Sequence, residues 1–134
     1  MLRRVHHIDF VVRDLDAAAE RFSVVFGRRP GPRERLEHRG VELVRFDLGN
    51  LWILLVHPVG PGPVREFLEA HGEGFFHIAY LTDDLEAEAE RLRGAGIRLA
   101  AAAPRRGVDG WRLLDLAMEE TFGVMTQLVQ EPET

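Results

Sequence analysis

The sequence predicts an α+β fold in which one strand and helix unit occurs twice in tandem. Three observations predict it. A shift of seventy positions lays the stretch 5–22, VHHIDFVVRDLDAAAERF, on 75–92 within GEGFFHIAYLTDDLEAEAERL, residues 72–92, and self-similarity of this kind constrains the whole architecture. His7 falls on His77, Ile8 on Ile78, Asp14 on Asp84, Leu15 on Leu85, and Glu20-Arg21 on Glu90-Arg91. Within each copy the apolar spacing changes from alternation to a helical period. Each copy is then followed by short apolar segments separated by turn residues, the pattern of hairpin strands. Two copies indicate a duplicated module and not a solenoid. One domain spanning 1–134 is expected, with module one at 1–58, a linker and short helix at 59–72, and module two at 73–134.

Residues 5–12 read as a strand with Ile8, Phe10 and Val12 on one face and His7, Asp9 and Val11 on the other. From Asp14 the period becomes helical through Leu15, Ala18, Ala19, Phe22 and Phe26; Asp14 is suited to the N-cap and Gly27 to the stop. The stretch 27–38, GRRPGPRERLEH, is broken by Pro and Gly and leads into an exposed strand. Its arginines, Arg28, Arg29, Arg33 and Arg35, either greet an anionic ligand or form a solvated surface, the ordinary fate of a charge run. Segments 41–48 and 51–56 flank Gly49-Asn50 as a hairpin, and Trp52, Leu54 and Val56 share a face. PVGPGP at 58–63 joins the two copies, and Pro63 starts a short helix through Ala70. In the second copy we expect a strand at 75–81, a helix from Leu85 stopped at Gly94-Ala95-Gly96, and a short strand at 97–100. A turn-rich loop at 104–110, PRRGVDG, precedes closing strands at 111–117 and 124–129. Met125, Gln127 and Val129 share the face that corresponds to Trp52, Leu54 and Val56.

Composition narrows the chemistry. There is no cysteine, which removes disulfides, thiolate nucleophiles and thiolate ligands. All 17 basic residues are arginine, so lysine Schiff bases are excluded. The one serine, Ser23, lies in a predicted helix without a nucleophile elbow. Net charge of -5 without a basic face speaks against nucleic acid. No apolar run reaches membrane-spanning length, and the N-terminus enters a strand with no signal-peptide core, so cytoplasmic residence is expected. Histidine, carboxylate, amide and metal chemistry remain.

Five stretches, VHHIDFVVRDLDAA, GVELVRFDLGNLWILLVHPVG, FLEAHGEGFFHIAYLTDDLEA, PRRGVDG and GVMTQLVQ, resemble the vicinal oxygen chelate superfamily. It includes glyoxalase I, extradiol dioxygenases, bleomycin-resistance proteins and methylmalonyl-CoA epimerase, and the likeness is closest to the epimerases. The resemblance implies two tandem βαβββ modules with sheets paired around a cleft, and a divalent metal (Zn, Fe, Mn or Co) held from the first and last strand of each module. It also implies a small-molecule substrate and a homodimer. Carried over by position, the metal ligands are His7, His77 and Gln127. Leu54 occupies the remaining ligand position and cannot ligate. Gln127 stands where the family carries a carboxylate that also moves a proton; an amide offers a neutral oxygen and takes no proton.

Asp9, two residues after His7 on the same face, is the other candidate catalytic residue, with Glu42 behind it. Asp9 can act as a base, orient a metal-bound water, replace the lost ligand, or simply pair with Arg45 or Arg112. His6 faces the other way, His57 is expected to be exposed, and Trp52, Phe75 and Trp111 are core or pocket wall. Two functions stay open. One is a metal-dependent isomerase, lyase or dioxygenase acting on an oxygen-chelating substrate, epimerase-like with an altered metal site. The other is a metal-free cleft that sequesters a small molecule.

Overall fold

The computed structural model describes residues 1–133, which divide by contact into two compact units: His7–Phe76, and Met1–His6 together with the chain from His77 onward. Strand β1 (Leu2–Val11) contributes to both. The unit borders fall on the two repeat histidines.

In the His7–Phe76 unit, β1 is followed by α1 (Leu15–Phe26), β2 (Glu34–Leu36), β3 (Val41–Asp47), β4 (Trp52–Pro58) and α2 (Pro63–His71). The sheet order is β2-β3-β4-β1, antiparallel except for the parallel pair of β1 with β4. Asp14 caps α1 by accepting from the Ala17 N–H at 3.0 Å, and Gly27 ends it in the left-handed conformation, φ 65°, where a side chain would be strained. The apolar face of α1 packs on the alternate residues of three strands, Ile8 and Phe10, Val44 and Phe46, Ile53 and Leu55. Phe22, Phe26 and Phe46 form a chain of rings with centroids 5.2–5.3 Å apart. Alternation then leaves His7, Asp9, Leu54 and Arg45 on the face away from α1.

The second unit repeats this order with β5 (Gly74–Thr82), α3 (Leu85–Gly94), β6 (Arg105–Arg106), β7 (Arg112–Asp115) and β8 (Thr126–Gln130). Its sheet runs β6-β7-β8-β5, again with the first and last strands of the module parallel. Asp84 caps α3 through Ala87 N–H at 3.0 Å, matching Asp14. Leu85 and Ala89 of α3 pack on Leu114, Leu116 and Leu128, so Asp115 and Gln127 lie on the opposite face. The N-terminal residues belong here: Arg3 grips Asp83 with contacts of 2.9 and 3.0 Å, and the buried His6 ring meets Trp111 edge-on at 4.5 Å.

Both modules therefore carry the βαβββ order within an α+β fold, as the sequence predicts. One strand is displaced. Residues 97–100 form only an isolated bridge, Leu99 to Leu116, and the strand lies at Arg105–Arg106. The backbone N–H groups of 97 and 98 are taken up elsewhere, Ile97 by the Leu92 carbonyl at 2.9 Å and Arg98 by the Glu120 carboxylate at 2.8 Å, whereas Gly107 and Trp111 close a tight return, N–H to O at 2.8 Å, that brings Arg105 opposite Leu113. Among the described residues, no helix is long and apolar enough to cross a membrane.

Candidate metal centre

Parallel pairing of β1 with β4 puts His7 opposite Trp52 and Asp9 opposite Leu54, and the antiparallel neighbour β3 puts Arg45 on the other side of Leu54. The face thus carries a row Asp9, Leu54, Arg45. His7 and Asp9 are buried, 2% and 5% exposed, with Nε2 and Oδ1 3.6 Å apart. That is ion-pair range and too long for a hydrogen bond. Leu54 is buried and apolar, so nothing at that position donates to a cation. Arg45 binds Glu34 through two contacts of 2.8 and 3.1 Å while lying 4.7 Å over the Trp52 ring, and Arg112 binds Glu86. Glu42 is tied down by Arg33 at 2.8 Å and Arg35 at 3.3 Å.

In the second unit, Gln127 of β8 sits between Ala79 of β5 and Asp115 of β7. His77, two residues before Ala79, shares their face. His77 and Gln127 are buried. The Gln127 amide donates through Nε2 to Asp115 Oδ1 at 3.0 Å, and Arg105 Nη1 reaches Asp115 Oδ2 at 2.5 Å. A carboxylate only accepts, so the NH2 end of Gln127 must face Asp115 and the carbonyl end must face away. Gln127 Oε1 has no hydrogen-bond partner among the described residues. An orphaned buried acceptor costs about 1–3 kcal/mol, and a cation beside it removes that cost. Imidazole and carboxylate in the first unit, and imidazole and amide oxygen in the second, are donor types suited to Zn, Fe, Mn or Co, so the residues of each unit fit a divalent ion.

The remaining expectations resolve locally. His6 is buried with Nε2 3.5 Å from Glu131, so it is a core histidine of the second unit. His57 is half-buried and not exposed, its Nδ1 3.0 Å from the Val12 carbonyl. Arg28 and Arg29 line a surface pocket of about 360 Å³ with Arg45, Trp52 and Glu34. Asp115 and Arg105 are not distinguished by the sequence. Asp115 is one polar residue in an apolar strand, and only the β7-β8 register places it beside Gln127.

A family profile described as the Glyoxalase/Bleomycin resistance protein/Dioxygenase superfamily matches residues 6–114. An ethylmalonyl-CoA/methylmalonyl-CoA epimerase of Cereibacter sphaeroides is 35% identical over 134 residues, covering 97% of this chain and 99% of its own. A variant of Streptomyces coelicolor methylmalonyl-CoA epimerase in complex with 2-nitronate-propionyl-CoA superposes with a TM-score of 0.90 at 33% identity, covering 98% of this chain and 96% of that one. A methylmalonyl-CoA epimerase in complex with methylmalonyl-CoA and NH4+ gives a TM-score of 0.88 at 33% identity over the same shares.

Proposed function

The chain belongs to the glyoxalase/bleomycin resistance protein/dioxygenase superfamily, and from that premise we propose that it is a divalent-metal-dependent enzyme acting at the α-carbon of a short acyl-CoA thioester. The observation that carries this reading is the buried, partnerless Oε1 of Gln127, on the same sheet face as His77. In the proposal His7, His77 and Gln127 hold the cation, and Asp9 is the catalytic carboxylate. The epimerase relatives supply the substrate class.

A bound divalent cation would supply positive charge to stabilise the negative charge that grows on a thioester oxygen as the α-proton leaves. Asp9 accepts that proton. Asp9 is a buried carboxylate two residues from His7 on the same strand face, and it is the base in this reading. Gln127 has no titratable proton and acts only by holding and orienting. Burial of His7, Asp9, His77 and Gln127 keeps bulk water from these groups and strengthens their fields. The test is solvent deuterium incorporation into methylmalonyl-CoA by cation-loaded protein. Incorporation that Asp9→Asn abolishes while cation binding persists supports the reading; no incorporation rejects it.

The position of Asp9 directly opposite Leu54 favours a second reading. There Asp9 is itself a ligand, in place of the missing donor, and His7, Asp9 and His77 form the two-histidine, one-carboxylate set of non-haem iron oxygenases. Asp9→Asn then loses the cation as well, and dioxygen uptake with ferrous iron replaces proton exchange as the activity. A protein that binds acyl-CoA but no cation is the sequestering cleft.

A further inference from the structure

We propose that Asp115, braced by Arg105, is the positioning residue that fixes the polarity of the Gln127 side chain so that its oxygen is the atom offered to the cation. The inference rests on the metal reading above. A glutamine amide has two ends of nearly equal size and opposite character, and in a buried site nothing about its shape decides which end points where. Here the decision comes from one neighbour. Asp115 lies directly across from Gln127 in the β7-β8 register, and its Oδ1 accepts from Gln127 Nε2 at 3.0 Å. The other carboxylate oxygen accepts from Arg105 Nη1 at 2.5 Å, so both oxygens of Asp115 are taken up as acceptors. The amide then has one allowed orientation, with Oε1 directed away and free of any hydrogen bond.

The arrangement also explains how an amide can stand at a position where a carboxylate would bind a cation more tightly. With Asp115 present, a carboxylate at position 127 would oppose a second carboxylate, and one of the two would take up a proton. Residues 115 and 127 thus form a matched pair, one charged acceptor and one amide donor. The match can be inverted. In Asp115→Asn combined with Gln127→Glu, the new amide oxygen at 115 accepts from Arg105, its NH2 donates to the carboxylate introduced at 127, and the charge moves to the ligand.

The test has two readouts on chelator-treated full-length protein. The first is the 15N side-chain amide of Gln127 by NMR: its protons exchange slowly in the wild type, and in Asp115→Ala they exchange at the rate of an exposed amide. Equal exchange in the two proteins overturns the proposal. The second is calorimetric titration with Zn2+ and Mn2+. Loss of a neighbour that orients a ligand typically weakens metal binding about 10- to 100-fold, the range expected for Asp115→Ala. Gln127→Glu alone gives no gain, and the double variant binds more tightly than the wild type. Tighter binding by Gln127→Glu alone, or unchanged binding by Asp115→Ala, overturns the proposal. If the wild type binds neither cation, the metal reading fails and the amide measurement still decides the role of Asp115. A merely structural Asp115 would lower the melting temperature of every variant without the rescue in the double one.

Discussion

Two rows of side chains occupy equivalent places in the two modules: Asp9, Leu54 and Arg45 across β1, β4 and β3, and Ala79, Gln127 and Asp115 across β5, β8 and β7. Element order and strand pairing are the same in both, down to the aspartate caps at 14 and 84, and the chemistry has been dealt out differently. Module one has its oxygen donor on the first strand and a leucine on the last. Module two has an alanine on the first strand and an amide on the last, aimed by the acid beside it. The duplicated scaffold therefore fixes where donors can stand, while each module chooses which strand supplies them.

The largest effects should come from the residues the modules share. His7→Ala and His77→Ala are each expected to abolish cation binding measured by calorimetry; tight binding by either would contradict the proposed ligand role of that histidine. Asp9→Asn tests the donor that only module one has, and the proton-transfer reading predicts a loss of roughly 10²- to 10⁴-fold in deuterium exchange.

The cores invite a stability comparison. Phe46, fully buried in the aromatic chain under α1, should cost about 3–5 kcal/mol on replacement by alanine, and Leu128, buried under α3, about 2–5 kcal/mol, both read by urea unfolding. Making the rows alike gives smaller shifts. Leu54→Gln adds an amide opposite Asp9 and should tighten cation binding while costing about 1–3 kcal/mol of stability for a buried polar group; unchanged affinity would place residue 54 away from the ion.

The smallest effect concerns acid. Glu88 of α3 is held below its ordinary value by hydrogen bonds from Arg91 and from the N-terminal ammonium, against the opposing effect of burial. Its stabilisation is complete above the ordinary glutamate range and fades as pH falls through the depressed value. Glu88→Gln should flatten the acid limb of the unfolding midpoint against pH, and an unchanged limb would remove Glu88 from the account.

Much of this was legible beforehand because duplication prints it twice. His7 and His77 announce one another, and the two capping aspartates fix the helix starts. Leu54 and Gln127 could be located by position along the closing strands, and the structure buries both. What could not be read was cross-strand identity. Asp115 is twelve residues from Gln127 in sequence and directly opposite it in the sheet, and no periodicity signals that pairing. The strand at Arg105–Arg106 was hidden for a related reason: two arginines after a proline read as loop, and only the return at Gly107–Trp111 makes them pair. His6 reads as a bland residue on the far face, and its contact with Trp111 gives it a core role that depends on residues about a hundred positions away.

The most direct test of the proposed ligand roles of His7 and His77 is calorimetric titration of chelator-stripped wild-type protein alongside His7→Ala and His77→Ala. The account predicts one divalent ion per chain in the wild type and none in either variant. Uptake of two ions, or of none, by the wild type, or retention of one by either variant, would contradict it.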